Sequence, residues 1–253
     1  MVTPRHAEEW SVWGLHARVV VTDAAALDSA TNLIRGYLSA ADVATNRDRA
    51  DSEIRNLRPG HNTVTPMFAR FVSDALAAAQ AGDGTLGPTV TGADWRGITV
   101  DGTDLHLPDG VELDLSATAR ASAADHCAAS TAELLECGVL VALGGDIAAA
   151  GTTPSERWQV QVQDLPGDPT CQISIPSGAG VATASTVKPL HPESVPQWRT
   201  VSVVAQTCTR AHMASTTAVG MAGGAIDYLD RLELPARLVD QEFRVVTIGG
   251  WPS

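Results

Sequence analysis

The stretch WRGITVDGTDLHLPDGVELDL, residues 95–115, sets the tightest limit on the fold. Apolar and polar residues alternate through it around two Asp-Gly pairs. Period-two alternation with Asp-Gly turns reads as an antiparallel hairpin or meander. Helical periodicity lies on both sides of it. Asp28 to Ala41 carries Ala30, Leu33, Ile34, Tyr37 and Leu38 on one face. Pro66 to Ala81, with Pro66 suited to a first turn, reads as a second helix. Ser116 to Glu136 is Ala-rich and helical, and Ala211 to Leu232 reads as one long helix. Short β-rich runs fill the remainder: Ala17 to Thr22, Val139 to Leu143, Trp158 to Gln163, Gln172 to Ile175, Thr200 to Ala205, Ala236 to Val239 and Phe243 to Ile248. Helices mixed with hairpins, without regular strand–helix–strand alternation, specify an α+β class with mixed or antiparallel sheets and packed helices.

No internal repeat, low-complexity tail or Pro/Ser linker divides the 253 residues. One compact domain over residues 1–253 is expected, with two lobes and a cleft between them. Lys+Arg 17 against Asp+Glu 29 gives a net charge of -12. Such a surface argues against nucleic acid and anionic membranes as partners, since both need basic patches. Mean hydropathy is near zero, at +0.03. The first residues lack a basic stretch followed by an apolar run, so no signal peptide is expected. No run of 18 apolar residues occurs. Cys127, Cys137, Cys171 and Cys208 form no C-x-x-C pair and read as small buried hydrophobes in a reducing compartment. A cytoplasmic location is the expectation.

Five segments can carry chemistry. Leu143-Gly144-Gly145-Asp146 ends a buried strand, and paired glycines let a backbone approach a ligand. Taken alone, it also reads as a tight turn with an Asx cap. Asp114 to Arg120 runs a strand into a helix start, where amides and Arg120 can hold an anion or simply form a Ser-capped helix. His212 and Thr216, four apart, share a helix face. Gly87-Pro88-Thr89 is a rigid turn beside a site, or a connection. Val181 to Thr186 ends a strand with three hydroxyls, among them Ser185 and Thr186, and His191 follows as a candidate base. Residues 82–87 fit the letters G-x-G-x-x-G, but a helix precedes them and a loop follows. A dinucleotide-binding Rossmann unit needs the reverse.

In order along the chain, these segments resemble the ApbE-type flavin transferases, the FAD:protein FMN transferases. Trp13-Gly14-Leu15 is similar to the family's opening before a strand, and Asp51 to Leu57 to its DSEI segment. Gly84 to Val90 resembles its GAFDPTV loop, and Asp114 to Asp125 its DLGGIAKGYAVD helix start. Leu140 to Ile147 is nearly LVNLGGDI, Val181 to Ser185 resembles ATSG, and Ala211 to Thr216 falls where the family has ADALST. The resemblance implies a two-lobed, T-fold-like α+β architecture with FAD in the cleft, as substrate or ligand. It implies transfer of FMN from FAD to a Ser or Thr of an acceptor flavoprotein, with magnesium assisting. The cofactor-binding set it implies is Asp114, Arg120, Asp125, Gly144, Gly145, Asp146, Ser185 and Thr186. The metal set is the Ala119 carbonyl, His212 and Thr216, and the catalytic set is His212, His191 and Arg120. This chain departs from the pattern at chemical positions: His212 replaces the metal-binding aspartate, Arg120 the lysine, Ser116-Ala117 the two glycines and Gly87 an aspartate. Imidazole suits zinc or manganese better than magnesium. Two alternatives therefore stand beside a transferase: a paralogue that holds flavin or a nucleotide without turnover, and an enzyme of another reaction with a histidine acid/base.

Overall fold

The computed structural model describes residues 6–81, 87–90, 94–153, 157–163, 167–186 and 196–252. Its centre is an eight-stranded sheet whose neighbours are all antiparallel. In spatial order the strands are β1 (Ala7–Val12), β2 (Leu15–Val21), β6 (Val139–Leu143), β7 (Asp146–Ala150), β10 (Gly180–Ser185), β11 (Trp198–Ala205), β12 (Ala236–Asp240) and β13 (Val245–Ile248). The meander expected from residues 95–115 forms β4 (Thr99–Asp101) and β5 (Asp104–Leu107), joined by a tight turn at Gly102. With β3 (Gly60–Thr63) they make a separate three-stranded sheet. β8 (Trp158–Val162) and β9 (Cys171–Ile175) form a two-stranded hairpin.

Strand alternation sorts the central sheet into two faces. Val139, Val141, Leu143, Ala148 and Ala182 point into the main core with the helices. Leu140, Ala149 and Val181, one residue out of phase, point to the other face, where the β8–β9 hairpin covers them with Trp158, Val160, Ile173 and Ile175. The helical layer holds α1 (Leu27–Thr45), α2 (Pro66–Ala81), α3 (Ser116–Leu135), α4 (Cys208–Gly220) and α5 (Ala225–Arg231). α3 touches α1, α2, α4, β6 and β7. Its alanines follow from that crowding: Ala119, Ala121, Ala123, Ala124, Ala128 and Ala132 are all buried, and larger side chains would hold its neighbours apart.

The structure departs from the sequence reading in two places that matter to the site. The helix expected over 211–232 starts earlier, at Cys208, and breaks after Gly220 into a short 3₁₀ turn and α5. Thr207 is the reason for the early start, because its side chain accepts from Arg210 N at 3.1 Å as a cap. Asp146 caps nothing; it is the first residue of β7.

Candidate functional site

Gly144 and Gly145 form the two-residue turn between β6 and β7, with Leu143 paired to Asp146. Gly144 has φ +62, a left-handed backbone that favours glycine. Gly145 lies so close to β10 that a Cβ there would sit 3.1 Å from the Thr183 carbonyl oxygen. The turn therefore fixes where Asp146 begins. Period two then puts Asp146 on the helix side, in phase with Ala148, and its side chain is fully buried.

Two helices converge on that carboxylate. Arg120, in the second turn of α3, donates from Nε to Asp146 Oδ2. His212, in the second turn of α4, bonds through Nδ1 to Asp146 Oδ1 at 2.8 Å. Burial alone pushes the Asp146 carboxyl up, but the hydrogen bond and charge of His212, joined by Arg120, outweigh it and hold its pKa below the ordinary value. With the carboxylate ionised, His212 Nδ1 carries the proton it donates to Asp146, which leaves Nε2 as the ring nitrogen not used in this bond. The bond fixes the ring's orientation, as a carboxylate does for an imidazole in general.

Arg120 also faces outward. A cleft of about 760 Å³ lies at the start of α3, lined by Trp13, Leu15, Arg47, Arg55, Asp114, Ser116, Ala119 and Arg120 among others. Trp13 enters it from the turn between β1 and β2, with φ 53, a strained backbone for a bulky residue. Asp114 Oδ1 accepts from Ser116 N at 3.0 Å and from Ser116 Oγ at 2.6 Å, so Ser116 is the first residue of α3 and not its cap, and Leu115 holds the cap position without a side-chain bond. Arg47 bonds Glu112 at 3.1 Å.

The structure thus brings Arg120, Asp146 and His212 into one bonded group and sets Asp114, Ala119 and Arg120 on the cleft. Thr216 follows His212 one turn along the same face of α4, half-buried. Asp125 goes elsewhere. Its carboxylate accepts from Cys208 N at 2.7 Å, Thr209 N at 2.9 Å and Thr209 Oγ1 at 2.8 Å, tying α3 to the N-terminus of α4. Ser185 and Thr186 close β10 away from the cleft, where Thr186 Oγ1 donates to the Trp198 carbonyl at 2.9 Å. His191 and residues 82–86 of the glycine-rich loop lie outside the described residues. Arg47 and Arg55 were not singled out in the sequence. Arg55 sits inside the Asp51–Leu57 segment, and that was the one available signal.

A sequence profile of the ApbE family matches residues 91–238. The chain belongs to the ApbE family. Among solved structures it is similar to the apo flavinyl transferase ApbE of Pseudomonas stutzeri, with TM-score 0.78 at 16% identity over 95% of this chain and 94% of that one. It is similar to the ApbE protein of Thermotoga maritima, with TM-score 0.79 at 18% identity over 95% and 96%. The flavin transferase ApbE of Vibrio cholerae gives TM-score 0.72 at 14% identity over 97% of both chains. No curated protein sequence matches. At these identities the likeness establishes the fold. It accounts for the α+β architecture of antiparallel sheets under packed helices.

The magnesium that the family resemblance implies does not fit the residues found here. His212 spends Nδ1 on Asp146, and imidazole is a poor ligand for a hard cation. The other oxygen of Asp146 is held by a guanidinium. A cation brought within 4 Å of that guanidinium meets roughly 4 kcal/mol of repulsion per unit charge at an effective dielectric constant of ~20. Among the described residues no three His, Cys, Asp or Glu side chains gather.

Proposed function

We propose that this ApbE-family chain is a transferase that takes FAD in the cleft beside Arg120 and moves FMN to a Ser or Thr hydroxyl of an acceptor flavoprotein. The observation that carries the reading is the Arg120–Asp146–His212 group: a cation facing the cleft and an oriented imidazole held by one buried carboxylate. In this reading the acceptor oxygen attacks the phosphorus on the flavin side of the FAD pyrophosphate. A new P–O bond forms, the bond to the bridging oxygen breaks, and AMP leaves with the electron pair. The hydroxyl proton goes to His212 Nε2, which is buried and does not line the cleft, so acceptor docking has to open a path to it, and Asp146 stabilises the imidazolium that results. Arg120 meets the charge that grows on the phosphate oxygens. No step passes through a metal.

No helix among the described residues is long and apolar enough to cross a membrane. We place the reaction in the cytoplasm, a reading supported by four cysteines that are all free thiols.

Incubation with FAD, followed by separation of FMN and AMP, tests the proposal. AMP release is expected from the wild-type chain, by transfer to an acceptor or slowly to water. It should fall about 10²–10⁴-fold in His212→Gln, the usual worth of a positioned base. FAD binding with no AMP from the wild type, with acceptor flavoproteins supplied, would sink the transferase reading. It would leave the second one, a flavin-holding paralogue without turnover. One feature favours that alternative: both oxygens of Asp146 are already engaged, a closed network that needs no substrate to complete it.

A further inference from the structure

We infer that this cleft takes the charge of its diphosphate ligand on protein cations alone, with Arg120 doing the work of a divalent ion, so that binding is independent of metal. The inference rests on the reading of the cleft as a site for FAD. Arg120 engages Asp146 through Nε only, and among the described residues its two terminal nitrogens have no protein partner. Its side chain is 30% exposed and lines the cleft. The buried carboxylate behind it holds the guanidinium plane, leaving the outer nitrogens to take two oxygens of a phosphate. Asp146 is fully buried, so the plane cannot swing away without stranding a charge.

Two further arginines share the wall. Arg55 is exposed, with no ion pair among the described residues, and Arg47 pairs with Glu112 at 3.1 Å and, more loosely, with Asp114 at 3.9 Å. The carboxylates of the same cleft are largely committed. Asp42 pairs with Arg49 at 3.1 Å, Asp114 is tied to Ser116 and lies 3.9 Å from Arg47, and Asp48 is exposed. On a chain of net charge -12, the three arginines of this wall balance its three aspartates, so the cleft is locally neutral. Fixed cations in a cleft partly shielded from water supply the neutralisation that an anion requires. The bonded group at Asp146 meanwhile leaves no oxygen set for a hard cation.

The test is a titration with ADP and with FAD, in EDTA and again in millimolar magnesium, followed by tryptophan fluorescence. Affinities agreeing within about threefold between the two buffers are expected, a difference of well under 1 kcal/mol. Arg120→Met should weaken ADP about 10–100-fold in EDTA, the worth of charge-assisted hydrogen bonds. Because that change strands Asp146, the double variant Arg120→Met with Asp146→Asn and the surface variant Arg55→Ala are measured too, each checked by thermal melting. Both should bind ADP more weakly while still melting cooperatively. Binding that appears only with magnesium overturns this inference and leaves the flavin site standing. Unchanged affinity in both the double variant and Arg55→Ala overturns it as well. If neither ADP nor FAD binds in either buffer, the inference falls together with the reading of the cleft.

Discussion

Asp146 is where one residue decides most. Asp146→Asn keeps the shape but removes the charge that Arg120 and His212 both face. Breaking a buried charged group from one side costs about 3–5 kcal/mol, so chemical denaturation at neutral pH should show a loss of that order. The sign of the pH dependence follows from the depressed pKa. An ionised Asp146 contributes stability that is fully present above the unfolded carboxylate value of about 3.9 and is lost as pH falls through the lower, folded value. The acid limb of the wild-type stability profile should therefore be steeper than that of Asp146→Asn. All three members of the group were visible in the sequence as candidates. That they bond to one another was not, because 26 residues separate Arg120 from Asp146 and 66 separate Asp146 from His212. Asp125 shows the converse: an acid in a recognisable helix motif whose oxygens serve the next helix.

At the scale of elements, the connections are informative. Asp125 satisfies two amides at the start of α4 that would otherwise lack partners. Asp125→Ala should cost about 1–2 kcal/mol, and native-state hydrogen exchange should show the loss concentrated in α4. The β1–β2 turn is a second case. Trp13 and Gly14 both have positive φ, 53 and 72, where Asn-Gly is the comfortable pair. Trp13→Asn relieves backbone strain of about 1–3 kcal/mol but removes a partly buried ring, so net stability should change by less than about 1 kcal/mol. FAD affinity should fall by a larger factor, because the ring lines the cleft. Equal affinity in a fluorescence titration would remove Trp13 from the site. Most elements were legible because their periodicity is local: α2 occupies the expected residues 66–81, and β6 the expected 139–143. β7 was missed because DIAAA carries no alternation and lies between a turn and a glycine. The break after Gly220 was missed because the apolar pattern continues through it, and only Gly220 and the Gly223-Gly224 pair signalled the change.

For the whole molecule, the division of labour between the two faces of the sheet matters most. The helix face carries the cleft and the Asp146 group, and the hairpin face carries an apolar cluster under β8–β9 beside buried polar groups such as Arg237, which donates to the Pro169 carbonyl. Ile173 is fully buried there. Ile173→Ala should lower global stability by about 2–5 kcal/mol, read as a shift in denaturation midpoint. Its effect on FAD affinity should be negligible, since distant and unconnected sites are close to additive. A parallel loss of affinity would mean that the sheet transmits strain from one face to the other. The fold class was legible from hairpin and helix signals together. The eight-strand order was not, since it joins β2 to β6 and β7 to β10 across long intervals.

The two-glycine turn ahead of Asp146 also bears on the order in which the chain folds. The β6–β7 hairpin closes over two residues and can form early, but the partners of its buried acid arrive only when α3 and α4 have docked. Contacts so separated in sequence carry a high closure entropy and tend to form after the rate-limiting step. Asp146→Asn should then leave the refolding rate nearly unchanged and appear almost entirely as faster unfolding. What the buried acid chiefly sets is how long the native chain persists once folded.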